Sequence, residues 1–417
     1  MKKLITVLLA VILCLGVFPY SALADDNYFS KEQIEYYKNL GLQGTTVNVY
    51  NWGEYISDGS EGSMDVVKEF EKLTGCKVNY TNYESNENMY SKLIGGGVSY
   101  DVIVPSDYMI DKLVDEDMLL ELDYDNIPNM KYIDKDCLNL FFDPEQKYTV
   151  CYNVGTTILI YNKKLVKEEP KSWDALWDEQ YKGKILMFNN PRDAFAIAQS
   201  MLGQDFNSTN EQDWLKSAEL LAEQKDKVNP VYVMDEVFNL MESGEYALAA
   251  YYAGDYVLMN ENNEDLGYCI PEEGVNAFYD AFCIPKCSKN KKGGEAFINF
   301  MQEPEVALAN SEYIYYRSAN YTVEQNEESS LYANPAVYAK VKNVQYFKNL
   351  PQNINELENR LWTEVKSGQL SIDSKEQNKK IYTECAVLGV AVIIVITVKI
   401  INNSKKKKEQ DLSDLYD

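Results

Sequence analysis

Histidine is absent from all 417 residues. Ser-His-Asp hydrolysis, Cys-His proteolysis and His-ligated zinc or non-haem iron all need an imidazole, so that chemistry is excluded. Basic residues are also scarce: 40 Lys+Arg stand against 65 Asp+Glu, for a formal net charge of -25. Binding to phosphate backbones needs the opposite balance, so nucleic acid is excluded as a partner and cations are the natural ones. The chain contains no GxxxxGKS/T loop to cradle a nucleotide and no metal-type CxxC pair. Carboxylates are plentiful enough for pairs to arise by chance, so they carry no argument for a hydrolase.

What is present is a substantial apolar content, 46% hydrophobic and 12% aromatic. That suffices for a real core and excludes general disorder. The length suits two or three domains. Six of the eight cysteines, Cys76, Cys137, Cys151, Cys269, Cys283 and Cys287, fall between the two ends. Disulfides are chemically open to them outside the cell, and Cys283 and Cys287 look equally like core residues.

The two ends read as targeting segments. Residues 1–24 combine Lys2 and Lys3, the apolar Leu4–Val17 and the small-residue Ala22-Leu23-Ala24, the pattern of a secretory signal. Near the other end, Ala386–Val398 is apolar on every face and is extended by Ile400-Ile401 across Lys399. Lys405–Lys408 follow directly, which predicts a single transmembrane helix over 385–401 with residues 402–417 in the cytoplasm. The expected location is therefore the plasma membrane, with the bulk of the chain on its extracytoplasmic side.

Between the ends the pattern alternates. Residues 25–44 form a leader helix opened by the capping box Ser30-Lys31-Glu32-Gln33 and closed near Gly41. Strands are expected at Thr45–Tyr50, Lys77–Tyr83 and Asp101–Val104, with helices at Ser63–Leu73 and Asn86–Ile94; the latter ends at Gly95-Gly96-Gly97. Tyr148–Tyr161 reads as an extended pair around Gly155, and further strands are expected at Lys184–Phe188, Ala247–Tyr252 and Phe278–Pro285. Short strands and helices in alternation imply βαβ units and an α/β fold.

Ligands of such sheets sit beyond the carboxyl ends of the strands. That rule selects Asn51-Trp52-Gly53-Glu54-Tyr55, Tyr83-Glu84-Ser85 and Pro105-Ser106-Asp107-Tyr108, which mix aromatic rings with acids and hydroxyls. The later strand ends carry Asn189-Asn190-Pro191-Arg192-Asp193 and Ala253-Gly254-Asp255, and Asp280 lies on a strand.

Taken together, these segments resemble the spermidine/putrescine-binding proteins of bacterial polyamine ABC importers. The resemblance rests on Tyr50–Tyr55, Tyr83–Glu87, Val104–Tyr108, Ser172–Trp177 and Ile270–Gly274 through Asp280 to Pro285, and covers roughly Thr45 to Gly368. It implies a periplasmic-binding-protein-like fold of type II. Lobe 1 would take 45–154 and 281–325, and lobe 2 would take 155–280 and 326–372; outside the likeness, a linker at 373–384 is expected to lead to the membrane helix. It also implies a monomeric solute-binding protein rather than an enzyme, with no cofactor and no bound metal. Its partners would be a polyamine, held in an acidic, aromatic cleft between the lobes, and the permease and cytoplasmic ATPase of the importer. The cleft residues implied are Trp52, Glu54, Tyr55, Ser106, Tyr108, Asn190, Asp193, Tyr252, Phe278, Asp280 and Tyr316. Asn190 stands where the family commonly has an acid, and Tyr252 and Phe278 stand where it commonly has Trp; putrescine and spermidine are therefore both open.

The residue types suit an amine, because carboxylates replace the water lost by ammonium groups and aromatic faces attract both cations and methylenes. Alternatives are another cationic or sugar solute, a membrane-anchored ligand sensor, or ferric ion held by the adjacent tyrosines Tyr251-Tyr252 and Tyr315-Tyr316. Structural roles are also open to Asp280 as a buried acceptor, Tyr316 as core and Asp193 as a partner of Arg192.

Overall fold

The computed structural model describes residues 28–338 and 341–370. The expected signal, linker, membrane helix and tail lie outside these residues. Among the described residues no helix is long and apolar enough to cross a membrane.

The chain opens with α1 (Lys31–Lys38), whose capping box is formed by Ser30 and Gln33. It stops at Asn39, ahead of Gly41, because the Asn39 N–H already closes the last turn. Next come β1 (Thr46–Trp52), α2 (Val66–Thr74), β2 (Lys77–Tyr83), α3 (Asn86–Ile94), β3 (Val102–Ile103) and α4 (Asp107–Asp115). The α2 helix begins at Val66, later than the Ser63 read from sequence, because the Asp65 side chain caps it by accepting from the Lys68 N–H. It buries Val66, Phe70 and Leu73 on one face and ends at Gly75, in the left-handed region at φ 68°.

The remaining strands are β4 (Thr149–Asn162), β5 (Ile185–Phe188), β6 (Val231–Val233), β7 (Leu248–Tyr252), β8 (Leu266–Cys269), β9 (Val275–Cys283), β10 (Arg317–Ser318) and β11 (Val344–Tyr346). The helices among them are α5 (Pro191–Met201), α6 (Glu211–Val228), α7 (Val237–Glu242), α8 (Ala253–Asn262), α9 (Lys291–Met301), α10 (Pro304–Ile314), α11 (Tyr321–Glu324) and α12 (Gln352–Ser367).

Two compact units emerge. Of the described residues, the first takes 28–154 and Tyr279–Tyr338; the second takes Gly155–Phe278 and 341–370. In the first, β1 pairs in parallel with β2 and β3, β3 pairs antiparallel with β9, and β4 pairs antiparallel with β10. Its core includes Phe70 set edge-on to Phe297 at 5.3 Å. In the second, β5 lies in parallel between β6 and β7, and β4 pairs antiparallel with β7 and β8. All four residues of β5 are buried, as expected for a parallel strand covered on both faces.

The crossings differ from those read in the sequence. The second falls between Phe278 and Tyr279 rather than after Asp280, and the third after Tyr338 rather than after residue 325. Asp280 belongs with the first unit because its carboxylate accepts from Tyr55 and its backbone bridges to Ser106. The six cysteines between Cys76 and Cys287 are all free.

Nor does Gly155 divide two extended segments: β4 runs through it without a break. Glycine is required there by close approach, since a Cβ on Gly155 would lie 2.3 Å from Cζ of Phe278. Gly155→Ala is therefore expected to destabilise the protein by about 1–3 kcal/mol, the range for overpacking. Urea unfolding of the variant against the parent measures it, and an unchanged midpoint would show that the Phe278 ring moves aside freely.

Candidate functional site

In the first unit the predicted residues gather around Asp280. This residue sits on β9, 3% exposed. Its Oδ2 accepts from the Tyr55 hydroxyl at 2.7 Å, whereas its Oδ1 has no hydrogen-bond partner. No Lys or Arg among the described residues forms an ion pair with it. Burial pushes its pKa up to about 6, against the opposing pull of the Ser106 and Tyr55 hydroxyls. Ser106 occupies the N-cap position of α4, yet its side chain makes no capping bond, so its hydroxyl remains available to Asp280.

Tyr55 is fixed from two sides. Its ring stands edge-on to Tyr152 at 5.3 Å and to Tyr316 at 5.0 Å. Its backbone carbonyl accepts from the Tyr152 hydroxyl, which in turn accepts from the Asn310 amide, both at 2.7 Å. Burial, followed by the Asp280 charge, holds the Tyr55 phenol well above its ordinary pKa, so it stays a donor. Tyr316 is buried and serves as the wall behind Tyr55.

Trp52 is half-buried at the end of β1. Its indole N–H donates to the Val104 carbonyl at 2.9 Å and its ring lies 4.7 Å from Tyr83, whose hydroxyl bonds the same carbonyl. The Asp280 charge reaches Tyr83, which places this pair beside the cluster. Tyr108 turns elsewhere within the unit, donating to Oε1 of Glu87 at 2.8 Å. Glu54 is not brought in: it is exposed, in a left-handed turn at φ 45°, and its charge acts on Tyr313.

The second unit holds the other four. Asn190 caps α5 by accepting from the Arg192 N–H at 3.0 Å, and its Nδ2 donates to Oδ2 of Asp193 at 2.8 Å. The same Asp193 oxygen accepts from the Tyr252 hydroxyl at 2.8 Å. Phe278 stands edge-on to Tyr252 at 5.4 Å. Arg192 donates to Asn207 and to the Lys348 carbonyl, and its guanidinium lies 4.7 Å over the Phe347 ring.

Three groups stand outside the implied cleft residues, of which the sequence reading picked out only Asp255, at a strand end. Asp255 and Asp235 place their charges on Tyr251 together with Asp193, so the second unit gathers several carboxylates around this tyrosine pair. Asp255, in the first turn of α8 directly after β7, obeys the strand-end rule and was legible by it. The third is Asn153, a polar residue within the largely apolar β4.

Each unit thus presents a buried carboxylate held by a tyrosine hydroxyl, among aromatic rings. That arrangement can receive a cation. The pattern defining bacterial extracellular solute-binding proteins matches residues 65–339. The chain belongs to that family. As a solute-binding protein it is a binder and not an enzyme, with an extracytoplasmic place of work.

This solute-binding protein is 34% identical over 282 residues to the spermidine/putrescine-binding periplasmic protein of Escherichia coli, covering 66% of this chain and 78% of the relative. It is 29% identical over 353 residues to the putrescine-binding periplasmic protein of the same organism, covering 79% and 94%. Among solved structures it resembles the substrate-binding protein of a spermidine/putrescine ABC transporter from Streptococcus pneumoniae. The TM-score there is 0.66 and the identity 32%, with 78% of this chain and 100% of that one covered.

The Tyr55 hydroxyl is one of two that hold Asp280 below the pKa its burial alone would give. Tyr55→Phe is expected to move that carboxyl above about 6. A carboxyl-carbon NMR titration of the protein without solute checks this, and an unmoved Asp280 resonance would show that the bond carries no electrostatic weight.

Proposed function

We propose that the protein captures linear polyamines, putrescine and spermidine being the class, and delivers them to the permease and cytoplasmic ATPase of an ABC importer. The observation that carries this reading is Asp280, a fully buried carboxylate with one oxygen unpartnered and no protein cation beside it. A buried anion left in that state is costly, and a solute that brings an ammonium group offsets the cost. Asp193 supplies a second carboxylate from the other unit, with Asp255 and Asp235 adding negative potential around Tyr251 and Tyr252. Two anionic stations suit a solute with two or more ammonium groups. Trp52 in the first unit, and Tyr252 and Phe278 in the second, are rings of the kind that suit methylenes and ammonium groups, and desolvated cation–π contact adds about 2 kcal/mol. The names of the relatives support the same class.

Asp280→Asn removes the charge and keeps the shape. Truncating one partner of a buried charge pair costs about 2–5 kcal/mol, so putrescine and spermidine should bind at least about tenfold more weakly. Titration calorimetry on the folded variant tests this, and parent-like affinity would make Asp280 a structural acceptor.

The targeting segments fit the same role. We propose that 1–24 directs export and that the span around Ala386–Val398 tethers the binding units to the outer face of the membrane. Alkaline carbonate should leave the full-length protein in the membrane fraction; release into the wash would remove the tether from the account.

A further inference from the structure

Asn153 has no exposed surface, and Oδ1 of its amide has no hydrogen-bond partner. A buried amide oxygen left without a donor weakens a fold, so it asks for an explanation beyond packing.

Strand geometry identifies its neighbour. The β4 and β9 strands are adjacent. Position 155 on β4 meets Phe278 on β9, and the Thr157 hydroxyl donates to the Asn276 carbonyl. As one number rises by two the other falls by two, so the strands run antiparallel and Asn153 stands opposite Asp280. The Cys151 thiol reaching the Asp280 carbonyl at 3.8 Å agrees with this register. Residues directly opposite on neighbouring strands share a face, with their side chains in reach of each other.

The Asp280 carboxylate also has its Oδ1 unpartnered. Two buried acceptor atoms, Oδ1 of Asp280 and Oδ1 of Asn153, therefore stand on one face, and the Ser106 hydroxyl, which favours the charged Asp280 carboxylate, flanks them from α4. The donor end of the amide has a direction too. Burial raises the pKa of both Tyr55 and Tyr152, and side-chain hydrogen bonding from Asn153 opposes that rise, as an N–H donated to a phenol oxygen does. That turns Nδ2 toward the phenols and leaves Oδ1 as the bare acceptor.

We infer that Asn153 is a solute-contacting residue that sets specificity. Its Oδ1, Oδ1 of Asp280 and the Ser106 hydroxyl form a three-acceptor cradle for a terminal primary ammonium group. This rests on the amine reading above and sharpens it. A primary ammonium carries three N–H donors and can satisfy all three acceptors, whereas an N-methylated terminus carries two and leaves one buried acceptor bare. Discrimination against the missing donor follows from the unpaired group it leaves behind.

The test uses the full-length protein, putrescine, and the symmetric N,N′-dimethyl derivative of putrescine, which presents a secondary ammonium at either end. Calorimetry is run on the parent, Asn153→Leu and Asn153→Ala, with thermal melts taken in the absence of amine. The parent should prefer putrescine by at least about tenfold. In Asn153→Leu putrescine should weaken by about tenfold and the preference should shrink to about threefold or less, while the melting temperature stays level because a bare buried acceptor goes together with the amide. Asn153→Ala, which leaves a cavity, should melt lower yet lose the same preference. If either folded variant keeps both the parent's affinity and its preference, Asn153 does not touch the solute. A fall in the melting temperature of Asn153→Leu with the preference intact would assign the amide a structural role and overturn the inference. A parent that binds neither amine would instead overturn the amine reading itself, and with it any amine cradle.

Discussion

A carboxylate buried without a countercharge is the constraint around which the first unit is arranged. Asp280 keeps one oxygen on the Tyr55 hydroxyl and the other bare. Its pKa of about 6 lies roughly two units above the ordinary 3.8, which corresponds to about 3 kcal/mol of strain when it is ionised in the folded chain. The sign follows from linkage. The carboxyl adds no strain at low pH, where it is neutral whether folded or unfolded. The unfolded chain then ionises first, so the solute-free fold loses stability as pH rises from about 4 to about 6, and the loss levels off above that. Binding a cation reverses this loss, which makes the solute part of the fold's electrostatics.

Maintaining such a group requires rigid surroundings. Two aromatic rings, Tyr152 and Tyr316, meet Tyr55 edge-on, and the chain of bonds from Asn310 through Tyr152 to the Tyr55 backbone fixes the turn after β1. Ser106 forgoes the capping bond that its position on α4 would ordinarily supply. The second unit solves a related problem differently. Asp193 is held by Asn190 and Tyr252, so its local structure is satisfied by neutral donors while Asp255 and Asp235 keep the surroundings negative.

Local signals made much of this visible before any coordinates. Lys77–Tyr83 and Asn86–Ile94 form with the boundaries read from their patterns, because alternation sets the strand and Ser85 and Gly95 mark the helix limits. The strand-end rule selected the turns that carry Trp52, Tyr55 and Ser106. What stayed hidden depended on pairing across long sequence distances. Gly155 looked like a break because sequence shows a glycine and not the Phe278 ring lying against it. Asp280 was assigned to the wrong side of a crossing because its partner Tyr55 is 225 residues away. Glu54 looked equivalent to the other acids, but it stands exposed in a left-handed turn and its charge acts on Tyr313. Asn153 was overlooked because a single Asn in an apolar strand gains meaning only from the residue opposite.

The central claim is that a solute ammonium group replaces the proton that Asp280 holds in the empty protein. Calorimetric titration of spermidine in two buffers of different ionisation enthalpy counts the protons released on binding. The account predicts release of a substantial fraction of a proton per solute near pH 6, falling as pH rises to 8, with the release at pH 6 abolished in Asp280→Asn. Binding that releases no proton at pH 6, or releases as much in the Asn variant as in the parent, would contradict it.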